Sequence, residues 1–238
     1  MKKIGTLPTI SLNYKSLGIL VLFVVFSNFV TYQFSNPTIT NNTNLKLSDN
    51  KSNSNFYLMD EAQSYVYDAI AFEKKVKSVA RNLNIAPEWL MAIMHAESRF
   101  DASAVNKKGG GTAGLIQFNA ATTENMGVSL EKFRNLNHLQ QLEYVERYFA
   151  SIQNSYRPFQ SVTDTYIAIL YPEALSEDYC YTLYSDPETG YVTHSGLDED
   201  KDGRITLQDV DRFLKRIYPT ACASQKPTPT VFRTMLGF

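Results

Sequence analysis

The chain has 238 residues, 44% of them hydrophobic and 13% aromatic, enough apolar material for one modest globular domain with appendages. That composition excludes a wholly disordered polypeptide. With 23 basic and 24 acidic side chains the net charge is -1, so no overall positive field exists to hold a polyanion, and nucleic acid is not expected as a partner.

Lys2, Lys3 and Lys15 precede LGILVLFVVFSNFVTYQF, Leu17 to Phe34, an uncharged stretch about long enough to cross a bilayer. Its apolar centre, Leu17 to Phe26, would also suit a signal-peptide core. No small-x-small cleavage site follows and no cysteine is placed for lipidation, so an uncleaved anchor over residues 1–34 is preferred to a cleaved signal and a secreted chain. A buried core helix is disfavoured because a polar tract follows at once. Lysines on the N-terminal side leave the remainder outside the cytoplasm, which predicts a membrane-anchored protein of the cell envelope. The Asn-, Ser- and Thr-rich tract from Ser35 to Asn55 cannot bury enough apolar surface to fold, and residues 35–59 read as a polar tether. An exported location would permit a disulfide between Cys180 and Cys222; two separate thiols are the alternative.

From Asp60 the pattern becomes helical. Val66, Ala69, Ile70, Val76, Val79, Ala80 and Leu83 recur at three- and four-residue steps, which predicts a helix that Asn84 ends. Pro87 suits the first turn of a second helix running to about Ser98. Further helices are predicted at Ser129 to Phe133, Asn137 to Gln153 and Ser161 to Leu170, the last opened by a Ser161-x-x-Asp164 capping pattern. Nothing alternates like a long strand, so the fold class is mainly α, with a small hairpin near the glycine-rich bend at residues 109–114.

In the Pro87 helix, Leu90, Ile93, Met94 and Glu97 stand at i, i+3, i+4 and i+7 and share a face. Glu97 therefore points where the core or a cleft must be. A carboxylate against apolar neighbours has its charged form desolvated, which raises its pKa and suits a general acid that protonates a glycosidic oxygen. The bland alternative is a glutamate satisfied by an arginine or by backbone donors. His95 projects elsewhere and reads as a surface or packing histidine. Gly109, Gly110, Gly111 and Gly114 let the backbone turn sharply before Leu115-Ile116-Gln117-Phe118 brings an amide back toward the helix. A phosphate cradle fails, since no Gly-Lys-Ser/Thr closes the loop and no strand leads into it. Ser98 as a nucleophile fails for want of a G-x-S-x-G motif and of His and Asp partners.

ESRFDASAVN followed by GTAGLIQF resembles the signature of the soluble lytic transglycosylase (SLT) domain of the lysozyme-like superfamily, over roughly Phe72 to Leu175. The resemblance implies a lysozyme-like helical domain acting on peptidoglycan, with Glu97 as catalytic acid/base and Ser98 and Gln117 shaping the sugar-binding cleft. It also implies that Tyr171, in DTYIAILYPEAL, contributes near the glutamate, although Pro172 stands where the family has asparagine. Read from the residues alone, Tyr166 and Tyr171 are core or rim aromatics as readily as functional groups. A hydrolase needs a second carboxylate at a set separation, for which Asp101, Glu124 and Asp164 are candidates. The transglycosylase route implied by the family uses Glu97 alone and gives a 1,6-anhydro product.

DEDKDGRITLQD, Asp198 to Asp209, places oxygen ligands at loop positions 1, 3 and 5 (Asp198, Asp200, Asp202), glycine at 6 (Gly203), a backbone carbonyl at 7 (Arg204) and a carboxylate at 12 (Asp209). This is the calcium-loop pattern of an EF-hand. Ile205 is the apolar anchor usual in such loops, and Thr206 holds the often water-mediated position. Asp209 is shorter than the usual glutamate, which predicts reduced affinity. A solvated acidic turn is the alternative. Leu207 to Ile217 reads as the exiting helix, whereas Gly190 and Gly196 obscure the entering one, so the segment resembles the half EF-hand of dockerin-like repeats. Being single and outside the cytoplasm, it is expected to bind Ca2+ as a structural stiffener.

The expected organisation is thus an anchor (1–34), a tether (35–59), a lysozyme-like domain (60–178), a calcium-loop module (179–220) and a tail (221–238). The expected activity is lytic transglycosylase cleavage of the MurNAc-GlcNAc bond of peptidoglycan, needing no catalytic cofactor. The alternatives are a hydrolytic lysozyme and an inactive glycan-binding module, with envelope machinery or a protein scaffold as possible further partners.

Overall fold

A computed structural model describes residues 55–106 and 111–227. The expected anchor, nearly all of the tether, Gly109, Gly110 and the last residues of the tail lie outside these. No helix among the described residues is long and apolar enough to cross a membrane.

The helix expected from Asp60 to Asn84 is two helices, α1 (Met59–Ala62) and α2 (Ala69–Asn82). The break has a local cause: Asp68 is extended and its side chain accepts a hydrogen bond from Ala71 N at 2.9 Å, a strong N-cap within what the apolar spacing alone reads as one helix. The restart directs Phe72, Val76, Val79 and Ala80 inward and leaves Ile70 66% exposed, so Ile70 is not a core residue. Asn84 terminates the segment in the left-handed region, at φ 53°, a conformation that asparagine tolerates.

Pro87 begins α3 (Pro87–Ser98), as its fixed φ suits a first turn. This helix is apolar all round: Trp89, Leu90, Met91, Ala92, Ile93 and Met94 are all buried. It therefore runs through the core and does not lie on it with one face inward. Helices α2, α7 (Val162–Leu170) and α10 (Pro219–Ala223) pack against it.

Between α3 and α7, the expected small hairpin forms from β1 (Val105–Asn106) and β2 (Thr112–Ala113), with Val105 opposite Ala113 and Asn106 opposite Thr112. Three helices follow: α4 (Ala120–Asn125), α5 (Leu130–Arg134) and α6 (His138–Ser155). The first was not anticipated, although Asn119 caps it through Thr122 N at 2.8 Å. Ser129, Asn137 and Ser161 are the N-caps of α5, α6 and α7, each one residue before the helix.

Two short strands escaped the reading of the sequence. β3 (Thr182–Ser185) pairs antiparallel with β4 (Arg204–Thr206), Thr182 opposite Thr206, with a register irregularity between Thr182 and Tyr184. Between them lie α8 (Thr189–His194) and a 3-10 turn (Ser195–Leu197), which supply the entering side of the Asp198–Asp209 loop. The exiting helix, α9 (Leu207–Ile217), has the expected bounds. Leu197, Ile205, Val210, Phe213, Leu214 and Ala221 belong to the same buried cluster as Phe72, Leu90 and Ile167, so residues 179–223 complete the core that surrounds α3. Cys180 and Cys222 are both free thiols, Cys180 exposed and Cys222 half-buried; the two-thiol alternative holds.

Candidate active site

Glu97 sits on the last turn of α3, 5% exposed. Neither carboxylate oxygen has a hydrogen-bond partner or surface open to solvent. Burial alone holds its pKa well above the usual carboxylate range, with no neighbouring charge contributing. The bland reading, a glutamate satisfied by an arginine or by backbone donors, is thereby removed: this is a protonatable group whose desolvation is uncompensated.

The chain reverses directly beyond Glu97. Arg99 (φ 51°) and Phe100 (φ 67°) are consecutive non-glycine residues in the left-handed region, a costly conformation held by burial of the Phe100 ring against Phe72 and His95. The Ser98 hydroxyl is placed to donate to Met94 O at 3.1 Å or to Leu115 O at 3.0 Å, tying the end of α3 to the segment after the glycine bend. His95 is a packing histidine, as expected: its ring stands edge-on to Tyr218, and a 3.0 Å hydrogen bond joins its Nδ1 to the Tyr218 hydroxyl.

Gln117 is buried at φ 52°. Its Nε2 donates to Gly114 O at 2.8 Å and Ala104 O at 3.3 Å, while its Oε1 accepts from Thr112 at 3.0 Å. Every polar atom of that amide braces the bend. A second amide, Gln141 on α6, was missed by the sequence reading. Fully buried, it accepts from Leu115 N at 2.9 Å and donates to Ala102 O at 2.7 Å. Its signal was available, because Gln141, Val145 and Phe149 form one i, i+4, i+8 inward stripe of α6.

Of the tyrosines, Tyr166 and Tyr218 feel the charge of Glu97, whereas Tyr171 does not. Burial raises the Tyr166 pKa most, and the charge of Glu97 is the next contribution; Tyr218 also feels Glu97. Tyr171 caps α7 and packs against Tyr181 and Tyr184, and Glu97 is not among the groups acting on it.

The candidate second carboxylates are engaged elsewhere or face solvent. Asp101 Oδ1 accepts from Ser103 N at 2.8 Å in a local turn. Asp164 is paired with Arg157 through two bonds of 2.7 and 2.9 Å and caps Gln160 N. Glu124 is exposed on α4.

In the downstream loop, Asp198, Asp200 and Asp202 each bring one ligand atom within 4.8 Å of the others. Gly203, at φ 82°, makes the bend, and its N–H donates to Asp198 Oδ2 at 3.1 Å. Arg204 lies in β4 with its side chain turned to Asp202. Asp209 is 2% exposed, and its Oδ2 accepts from Thr206 N at 2.9 Å as part of the α9 capping box. Its Oδ1 is buried without a hydrogen bond and lies 3.7 Å from Arg212 Nη1, which donates to Asp200 at 2.8 Å. The carboxylates of Asp198, Asp200 and Asp202 form an all-oxygen donor set of the kind that suits a hard cation, whereas Asp209 lies outside that group with its Oδ1 toward Arg212. Asp209 has only that one oxygen to offer, because the helix cap takes the other.

Residues 75–163 match the family model described as Transglycosylase SLT domain. That stretch carries Glu97, Ser98, Gln117 and Gln141 and is under half of the chain. No curated protein and no solved structure matches the chain. The matched stretch supports a lysozyme-like core and, at the level of the family, cleavage of glycosidic bonds in peptidoglycan.

Proposed function

We propose that the protein is a lytic transglycosylase that cleaves the MurNAc-GlcNAc bond of peptidoglycan with Glu97 as its single acid/base. The observation that carries this reading is a buried carboxyl without ion pair or hydrogen bond, at the residue to which the ESRFDASAVN resemblance would give the role of catalytic acid. Desolvation pushes the Glu97 pKa well above the usual carboxylate range and so favours the protonated form that protonation of a glycosidic oxygen requires. That proton passes to the GlcNAc O4 as the C1–O4 bond breaks. The carboxylate then takes the proton of the MurNAc C6 hydroxyl while O6 bonds to C1, so no water is consumed and the product ends in a 1,6-anhydro ring. The commitments of Asp101 and Asp164 favour this route over a hydrolase, which needs a second carboxylate beside the first.

Ser98 ties the Leu115 segment to α3, Gln141 ties it to α6, and Gln117 braces the bend between them. Tyr171 belongs to the rim. The uncharged Leu17 to Phe34 stretch favours an envelope location, with the polar tract letting the domain reach the wall. The Asp198–Asp209 loop would hold Ca2+ through Asp198, Asp200, Asp202, the Arg204 carbonyl and one oxygen of Asp209. The ion would supply positive charge that cross-links the entering and exiting helices.

One observation favours a second reading, an inactive glycan-binding module: both Glu97 oxygens are covered. Digestion of purified cell walls by the full chain in detergent, beside Glu97→Gln, decides between them, with mass spectrometry of the products. Anhydro termini from the parent and none from the variant support transglycosylation. Reducing ends mean hydrolysis, equal activity in both defeats the role of Glu97, and binding without cleavage by either selects the binding module.

A further inference from the structure

The outer side of α2 and the turn before it carry apolar and cationic side chains together. Tyr65, Tyr67 and Ile70, at 48%, 100% and 66% exposure, are three of the six large hydrophobic side chains open to solvent among the described residues. Singly exposed apolar groups need no explanation, but three within one turn and the helix start that follows it mark an interaction face. Lys74, Lys77 and Arg81 stand at i+4, i+7 and i+11 from Ile70 and continue the patch along one side of the helix. With Glu73 and Ser78, these residues line an open groove of about 380 Å³. Glu73 is the single acid there and pairs with Lys77 at 2.5 Å, whereas Lys74 and Arg81 have no ion pair among the described residues. Asp68, at the head of the helix, spends its carboxylate on the Ala71 cap. Lys77 Nζ also lies 4.8 Å from the centre of the Phe56 ring, so the polar tract that ends at Asn55 joins the domain beside this face.

We propose that this face docks on an anionic lipid surface, with Tyr65, Tyr67 and Ile70 entering the headgroup layer while Lys74, Lys77 and Arg81 meet lipid phosphates. The inference rests on the envelope anchor, Leu17 to Phe34, proposed above. Between that stretch and Asn55 lie twenty residues, Ser35 to Ser54, which span at most about 70 Å when fully extended. The patch is therefore never far from the bilayer that holds the anchor, docking is intramolecular, and weak contacts suffice. The mix of side chains selects the occupant. Tyrosine joins an apolar body to a polar tip and suits the headgroup level, and lysine and arginine lay apolar stems along a surface while their charges reach the phosphates. An anionic wall polymer would use the cations and leave Tyr67 and Ile70 in water. Phe72, Val76, Val79 and Ala80, the buried residues of α2, stay packed in the core, so docking needs no change of fold.

Trp89 is the only tryptophan of the chain and is 2% exposed within α3, so an indole placed on the patch reports docking against a buried background. The full chain carrying Tyr67→Trp is reconstituted into vesicles of brominated phosphatidylcholine, with or without brominated phosphatidylglycerol, where bromine quenches an indole only at close approach. Quenching beyond that of the parent is expected in the anionic vesicles and not in the neutral ones. Adding Lys74→Gln and Arg81→Gln should weaken docking about 25-fold, because each charge beside an anionic surface is worth about fivefold, and should leave wall cleavage in detergent unchanged. Quenching no greater in anionic than in neutral vesicles, or indifferent to the two glutamines, overturns the proposal. Binding to isolated walls that the two glutamines abolish, without lipid quenching, also overturns it and gives the face to a wall polymer. Flotation with the neutral vesicles, where docking contributes nothing, reads the anchor separately. A chain that does not float defeats the anchor, while its quenching by added anionic vesicles still decides the docking face.

Discussion

A Cβ on Gly114 would stand 2.5 Å from Gln141 Oε1, the oxygen that receives Leu115 N from the adjoining peptide. The bend after α3 is therefore closed against a buried amide, and the Phe133 ring, 2.6 Å from the same imagined carbon, leaves no way around it. Gly114 also has φ 85°, which strains any other residue. Gly114→Ala is expected to cost roughly 2 to 4 kcal/mol from strain and overpacking together. A denaturant melt checks this; a loss under about 1 kcal/mol would mean that Gln141 moves aside freely.

Gln141→Leu fills similar space but leaves Leu115 N and Ala102 O without partners in the core. Unpaired buried backbone groups cost about 1 to 3 kcal/mol each, so a destabilisation of roughly 2 to 5 kcal/mol is expected. Wall cleavage should fall even at temperatures where the variant stays folded, since the Leu115 carbonyl also receives Ser98 at the end of α3.

Glu97 makes stability depend on pH in a definite direction. Its folded pKa lies above the ordinary value of 4.5, so the folded chain keeps a proton that the unfolded chain has already released. Stability is full below about pH 4.5 and declines as pH rises, until the folded pKa is passed. Glu97→Gln carries no such proton. It should melt like the parent in acid and at a higher temperature than the parent at alkaline pH, while cleaving walls at least a hundred-fold more slowly. A parallel pair of melting curves across the pH range would show that the carboxyl is solvated after all.

Two acidic residues of the downstream loop separate cation binding from helix capping. Asp200→Asn removes a proposed Ca2+ ligand and weakens only its exposed pair with Arg212, so it should leave the chelated protein's melting temperature nearly unaltered and weaken its rise on adding Ca2+. Asp209→Ala removes the capping box as well and should cost about 1 kcal/mol even under chelator. A melting curve indifferent to Ca2+ in the parent would reduce the loop to an acidic turn. Because the helix cap occupies Asp209 Oδ2, even Asp209→Glu, whose longer side chain can reach bidentately, should bind the ion more tightly than the parent.

Features written in local chemistry are legible in the order of the amino acids. Pro87 and the capping residues Ser129, Asn137 and Ser161 set helix starts because each acts on backbone within its own first turn. The position of Glu97 on a buried stretch followed from helical spacing, and the acidic loop from oxygen donors and a glycine at fixed offsets. Where a local signal was passed over, as with Asp68, the boundary was misplaced and Ile70 was sent inward when it faces out. What surrounds Glu97 depends on long-range packing. Contact between residues as distant as His95 and Tyr218, or Leu115 and Gln141, follows from how whole helices pack, and helical spacing is blind to it. Nor does helical spacing show that the Gln117 amide, expected to shape the sugar cleft, is bonded within its own loop. Residues 179–223 likewise complete the core around α3, because a helix that is apolar on every side must be enclosed on every side.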